Sequence, residues 1–170
     1  MDIEKHIAVV KDFPKKGIIF KDISPIFLNP NAFSQLIDEL AESVRDLGAT
    51  KIFAAEARGF LFGAPLSIKL GLPLVPVRKK GKLPRETVEV SYGLEYGTDT
   101  LCVHCQDVQP QDKILIFDDI LATGGTAKAM CSLAEKLGAE VAGCAFIMEL
   151  SFLKGRERLN GIEVRSMLIE

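Results

Sequence analysis

At 170 residues, 48% apolar and 26% charged, the chain has the length of one domain and a globular composition, one that buries about two thirds of its unfolded surface. A net charge of -2 excludes recognition of nucleic acid or anionic lipid by the molecule as a whole, so any basic chemistry must be local. No apolar run reaches the ~18 residues of a membrane span, and Met1 to Val10 mixes charged with apolar residues where a signal peptide would carry an unbroken core. The expectation is one domain over residues 1–170, in the cytoplasm, with no membrane and no nucleic-acid partner.

Along the chain, "DFPKKGIIFKDISP" (residues 12–25) is too irregular for a helix and too long for a turn. A helical pattern over 31–47 closes at Gly48. "KIFAAE" (51–56) reads as a strand, "GFLFGAPLSIKLG" (59–71) as a helix closed by Gly71, and "LPLVPVR" (72–78) as a strand. An excursion over 78–100 then crowds Arg78, Lys79, Lys80, Lys82 and Arg85 ahead of an alternating pair of strands, a length that suits a functional lid. "KILIFDD" (113–119) and "EVAGCAFIME" (140–149) are strands, "TAKAMCSLAEKLG" (126–138) is a helix closed by Gly138, and "SFLKGRERLNG" (151–161) is expected as a last helix closed by Gly161. Runs that are apolar on successive residues suit strands buried on both faces of a parallel sheet. The fold class is α/β: a central, mainly parallel sheet flanked by helices, with ligands at the carboxyl ends of the strands.

Cys102 and Cys105 are spaced C-x-x-C, which invites a metal or redox role. Strand alternation sends Cys102 and His104 to one face and Leu101, Val103 and Cys105 to the other, which splits the would-be ligand pair. The four thiols are expected to be reduced packing residues.

The informative stretch is "ILIFDDILATGGT" (114–126). Its first half ends in two carboxylates, Asp118 and Asp119, at the carboxyl edge of a strand. Its second half, Thr123-Gly124-Gly125-Thr126, enters a helix and offers hydroxyls and backbone N–H groups to an anion. Two charges about 7 Å apart repel by roughly 2 kcal/mol at an effective dielectric near 20, so the juxtaposition needs a reason. Neither G-x-x-x-x-G-K-[ST] nor G-x-G-x-x-G occurs, which removes the P-loop and dinucleotide readings. A ribose 5-phosphate reconciles both halves: carboxylates accept from its 2- and 3-hydroxyls while the turn holds its phosphate.

This stretch closely resembles the phosphoribosyl diphosphate (PRPP) motif of the type I phosphoribosyltransferases. "DFPKKGIIFKDISP", "EARGFLFG", "RKKGKLP" and "LEYGTD" match the adenine-using branch in order and spacing. The resemblance implies the type I phosphoribosyltransferase fold, with a small N-terminal hood over about 12–30 and a flexible lid over about 78–100. It implies transfer of ribose 5-phosphate from PRPP to adenine, giving AMP and diphosphate, in purine salvage. PRPP contacts would come from Ala57, Arg58, Gly59, Arg78, Lys79, Lys82, Asp118, Asp119, Ala122, Thr123, Gly124, Gly125 and Thr126. Arg58 and Glu95 would be catalytic, Glu95 taking the proton that adenine loses, with Tyr96 positional. The peptide entering Arg58 would be a non-proline cis bond. Ile18, Ile19, Phe20 and Lys21 would hold adenine, with backbone at Ile19 reading N6 and N1 and Phe20 covering the ring. Mg2+ would be carried mainly by PRPP, with a water-bridged contact to Asp118 as the alternative. Arg78 and Lys79 would reach the partner's site in a homodimer. Three other readings stay open: Arg58 in a surface ion pair, Ile18 to Phe20 as plain core, and a PRPP-sensing regulator or an enzyme for another base.

Overall fold

A computed structural model describes residues 3–13, 15–94 and 97–170. The core is a sheet of seven strands, ordered β5-β6-β4-β3-β7-β8-β9 among the described residues. Its parallel centre comprises β3 (Lys51–Ala55), β4 (Leu74–Lys79), β7 (Lys113–Leu121), β8 (Glu140–Glu149) and β9 (Val164–Ile169). The antiparallel hairpin of β5 (Thr87–Leu94) and β6 (Gly97–His104) joins the edge of β4 through only Arg78↔Cys102 and Lys79↔Leu101.

Alternate residues of the central strands enter different cores, which is why the sequence is apolar at every position. Phe53, Val75, Val77, Ile114 and Ile116 pack with α3 (Gly125–Lys136) on one face. Ile52, Ala54, Leu115 and Phe117 pack with α1 (Pro30–Val44) and α2 (Arg58–Leu70) on the other. α1 starts where Asn29 accepts the Ala32 N–H at 3.1 Å and Pro30 occupies the first turn, and it tightens into a 3-10 turn, Arg45–Leu47, before Gly48. Gly48, Gly71 and Gly138 adopt the left-handed conformation expected of helix ends.

Three elements differ from expectation. The irregular N-terminal stretch contributes a strand: β2 (Ile19–Asp22) pairs antiparallel with β1 (Ala8–Lys11) in a separate two-stranded sheet, followed by a 3-10 turn, Ser24–Leu28. Residues 151–161 form no α-helix. They make two 3-10 turns, Ser151–Leu153 and Gly155–Leu159, separated by Lys154 at φ 55, a conformation that interrupts any helix. The strand β9 follows where none was expected, because Arg165 and Ser166 in its middle hide its apolar character.

Leu101 and Val103 enter the α3-side core as strand alternation requires, and Cys105 lies in a 3-10 turn, Cys105–Asp107, beyond the strand. All four cysteines are free thiols, and Cys131 and Cys144 meet in the core with sulfurs 3.9 Å apart.

Candidate active site

The carboxyl ends of β3, β4 and β7 open into a cleft of about 590 Å³ lined by Phe20, Glu56, Ala57, Arg58, Lys79, Tyr92, Asp118, Asp119, Thr126 and Leu150 among others. β7 carries Asp118 and Asp119 to its rim because side chains alternate along the strand, so the two carboxyls leave on opposite faces. Asp119, 5% exposed, accepts from Arg58 Nε at 2.5 Å. The bond joins the first residue of α2 to the end of β7, so Arg58 faces the cleft and not the outer surface. Asp118 Oδ1 turns back to accept the Asp119 N–H at 2.9 Å. Burial and the neighbouring Asp119 charge push the Asp118 carboxyl well above the usual carboxylate range, against the opposing pull of Arg58.

Past Leu121 the chain turns through Ala122 to Thr126 into α3 around a small pocket of about 60 Å³, whose lining includes all five of those residues. Gly124 caps α3 at φ 79, which a side chain would resist. The opening of α3 therefore presents free N–H groups beside the carboxylates.

Those N–H groups are backed by a contact that sequence reasoning missed. A Cβ on Gly155 would lie 2.2 Å from the Ala122 carbonyl oxygen and 2.9 Å from the Gly124 nitrogen. A Cβ on Gly124 would lie 2.4 Å from the Gly155 oxygen. Only two glycines let these backbones touch. The Gly155 segment is held in turn by Arg156, which gives Nε and Nη2 to the Glu149 carboxylate at 2.9 and 2.5 Å and Nη1 to the Val164 carbonyl at 2.9 Å. That bidentate pair holds the Glu149 carboxyl below its ordinary range.

The basic run converges on Glu56, the residue before Ala57. Its side chain, 8% exposed, accepts the Lys79 backbone N–H at 2.5 Å and faces Arg78 Nη2 and Lys82 Nζ, each at 3.3 Å. Burial raises the Glu56 carboxyl, but the Lys79 N–H and the two cations outweigh it, so the group ends below its usual range. Lys79 Nζ pairs with Asp99 at 2.9 Å on β6, and Arg78 Nε is buried with no hydrogen-bond partner among the described residues. The cis peptide is Glu56–Ala57, one bond earlier than the resemblance implied. Glu56 opens the quoted motif "EARGFLFG" but was given no role there, and only the return of β4 beside β3 revealed what it gathers.

The N-terminal hairpin reaches the cleft from above. Phe20 lines it, with the Arg58 guanidinium carbon 6.0 Å from its ring centroid and Phe13 edge-on at 5.1 Å. Ile18 and Ile19 are 43% and 61% exposed, so the plain-core reading of this triplet fails. Among the described residues its sheet has two strands, so one edge of β2 has no strand beside it and its main-chain groups are open to a ligand. Behind it, Ile18, Ile19 and Lys21 line a pocket of about 440 Å³ with Leu150, Phe152 and Glu170, and Lys21 pairs with Glu170 at 2.8 Å. Leu150 lines both cavities opposite the hairpin, and nothing in its local sequence marked it. Glu95 and Tyr96 lie outside the described residues.

Residues 26–165 match the model of the phosphoribosyl transferase domain. This chain belongs to that family. An adenine phosphoribosyltransferase of Carboxydothermus hydrogenoformans is 52% identical over 168 residues, covering 99% of each chain. The crystal structure of adenine phosphoribosyltransferase from Thermoanaerobacter pseudethanolicus superposes with a TM-score of 0.96 at 47% identity, over 99% of this chain and 98% of that one. The Saccharomyces cerevisiae enzyme, solved with D-2,5-dideoxy-2,5-imino-altritol 1,6-bisphosphate and adenine, superposes with a TM-score of 0.90 at 41% identity, over 96% and 94% of the two chains. The sheet, its flanking helices and the N-terminal hairpin are those of the type I fold.

Proposed function

We propose that this chain is an adenine phosphoribosyltransferase, which transfers ribose 5-phosphate from PRPP to adenine and releases diphosphate and AMP, a purine-salvage reaction. One observation carries the reading. Two adjoining pockets that share Asp118, Ile120, Ala122 and Thr126 bring together an anion-binding turn, two rim carboxylates, cations and an aromatic face, the groups that a sugar phosphate, a diphosphate and a base would need. Full-length identity of about half to enzymes of that name supports it.

In this reading Thr123 to Thr126 take the 5-phosphate, and Asp118 and Asp119 accept from the ribose hydroxyls. The Ala57-Arg58-Gly59 turn, with Arg78, Lys79 and Lys82, takes the diphosphate. Charge separates as the glycosidic bond breaks, leaving an oxocarbenium-like sugar and an anionic leaving group, so the cations serve the transition state more than the ground state. Arg58 must leave or share Asp119 as PRPP arrives. Adenine stacks between Phe20 and Leu150, with the open edge of β2 at Ile19 reading its N6 donor and N1 acceptor. Glu95 takes the base proton.

Mg2+ is the cofactor of this reading. Among the described residues no group of three or more carboxylate, His or Cys side chains gathers, so the chain offers hard oxygen ligands at Asp118 and Asp119 but no cage. Those two carboxylates fit an ion held mainly by PRPP oxygens and water, and the ion would neutralise the leaving diphosphate.

In this reading the hood, about 12–30, and the lid, about 78–100, belong to one domain over residues 1–170. A homodimer accounts for Leu61 and Ile68, 54% and 83% exposed seven residues apart on α2. Arg78 and Lys79 would exchange Glu56 and Asp99 for the site of the second copy, and sedimentation equilibrium tests that state. Among the described residues no helix is long and apolar enough to cross a membrane, and with the free thiols this supports a cytoplasmic location.

The deciding experiment measures AMP, IMP and GMP formation from PRPP with adenine, hypoxanthine and guanine, with and without Mg2+. Hypoxanthine reverses both groups on the recognised edge, and two mismatches predict a kcat/KM preference for adenine of at least roughly 30-fold. Comparable values for adenine and hypoxanthine would overturn the adenine reading.

A further inference from the structure

Tyr92 took no part in the sequence motifs, yet it is the side chain through which β5 meets the anion-binding turn. Its hydroxyl lies 3.3 Å from Thr126 Oγ1. Its ring lies close enough to the start of α3 that a Cβ on Gly125 would sit 3.3 Å from Cδ2, so the second glycine of the turn makes room for this aromatic. Val88, Val90 and Tyr92 of β5 pack against the α3-side core, and among the described residues Gly97 to Asp99 of β6 pair with β5 alone, where Tyr92 stands opposite Asp99. Lys79 holds Asp99 at 2.9 Å on one side, and Thr126 holds Tyr92 on the other.

A hydroxyl has one proton to donate and two lone pairs. If Thr126 gave its proton to Tyr92, it would face an incoming phosphate with lone pairs alone. If Tyr92 donates, the Thr126 proton is free for the phosphate. An anion selects the second arrangement, because a chain of two O–H donors ending on a charged oxygen is reinforced at each link.

We propose that Tyr92 is a positioning residue of the sugar-phosphate subsite: it donates to Thr126 Oγ1 and so commits the Thr126 hydroxyl as a donor to the 5-phosphate of PRPP. The inference rests on the phosphoribosyltransferase reading and adds to it a residue that acts on the phosphate through another.

Tyr92→Phe removes the hydroxyl and keeps the ring on Gly125. Isothermal titration of the full chain with ribose 5-phosphate and, separately, with diphosphate and Mg2+ reads the two ends of the donor site. The expected result is a loss of ribose 5-phosphate affinity of about 3- to 10-fold, the range of one hydrogen bond. Diphosphate affinity stays within twofold, the PRPP KM rises with the adenine KM unchanged, and the melting temperature is constant. In a Thr126→Val background, the Tyr92→Phe change should produce no further loss, whereas Thr126→Ser should preserve it. A Tyr92→Phe protein with wild-type ribose 5-phosphate affinity overturns the inference, as does an equal loss for diphosphate or an undiminished loss in Thr126→Val. Failure of the unaltered chain to form AMP from PRPP and adenine would instead overturn the function, so the two failures are distinct.

Discussion

Replacing Gly155 by alanine tests whether the segment behind the anion turn sets its shape. The new Cβ would meet the Ala122 carbonyl oxygen at 2.2 Å, where ordinary contact begins at 3.4 Å, so the two backbones must part by about 1.2 Å. Neither side yields easily: Ala122 and Gly124 are backbone between β7 and α3, and Gly155 is clamped through Arg156 to the Glu149 carboxylate. Misplacement of a binding group by about 1 Å costs on the order of 10²-fold in rate, equivalent to about 2.7 kcal/mol. The expected outcome is a fall of roughly 100-fold in kcat/KM for PRPP, with adenine affinity in a direct binding assay unchanged. Overpacking should also cost about 1 to 3 kcal/mol of stability, with each kcal/mol lowering Tm by roughly 2 to 4 °C. Gly161→Ala is the control. It sits at positive φ, at 84°, where a side chain is strained, but nothing lies within 4 Å of its Cβ, so it should lose stability and leave PRPP kinetics intact. A Gly155→Ala enzyme with kcat/KM for PRPP within threefold of wild type would refute the claim that the Gly155–Gly124 contact shapes the phosphate site.

Three further outcomes follow from the cleft. Asp118→Asn should weaken PRPP binding yet raise Tm at neutral pH, since burial and Asp119 disfavour the charged carboxylate. The sign is fixed by the raised folded pKa: the protonated carboxyl favours the native state below the unfolded value of about 3.9, and this is lost as pH rises through the folded value. The Tm advantage of Asp118→Asn should therefore appear as pH rises, and a Tm difference that does not vary with pH would contradict it. Arg58→Ala should lower kcat by at least about tenfold, or about 1.4 kcal/mol, and wild-type turnover would return Arg58 to the role of an ion-pair partner for Asp119 alone. Glu95→Gln should depress kcat more than it raises the adenine KM, within the roughly 10²- to 10⁴-fold range of proton acceptors; equal activity of the amide would send the proton elsewhere.

The parts of the fold that the sequence revealed are those whose burial is set along one element. β3, β4, β7 and β8 were legible because both faces of each are covered, so Ile52 and Phe53, or Leu115 and Ile116, are apolar for separate cores. α1, α2 and α3 were legible from apolar periodicity and a terminal glycine. What failed was context. Phe152, Leu153, Leu159 and a closing Gly161 imitate a helix, but Gly155 is glycine for its contact with Ala122, a demand from the other end of the sheet that no local pattern records. β9 was missed for a related reason: Arg165 leaves the strand to bind Asp46, 119 residues away. β1 was hidden because it is mostly exposed and draws its pattern from pairing rather than burial.

The site divides along the same line. Asp118, Asp119 and the Thr123–Thr126 turn are contiguous, and their chemistry conflicted so openly that a sugar phosphate was the economical resolution. Glu56, Tyr92, Leu150 and Gly155 come to the cleft only when the chain is closed: one accepts from Lys79 and faces Arg78 and Lys82, one leans from β5 onto α3, one shares the cleft lining with Phe20, and one touches the turn through its backbone. The closed chain also changes the opening charge problem. Arg58 pairs with Asp119, and burial with the Asp119 charge raises the Asp118 carboxyl, so both features act against a full double negative charge at the rim. The repulsion that made the sequence puzzling is held off by the fold until a ligand arrives that can take both carboxylates as acceptors. A ligand that offers hydroxyls to both carboxyls would therefore draw on the same Asp118 group that burial and the Asp119 charge make reluctant to ionise.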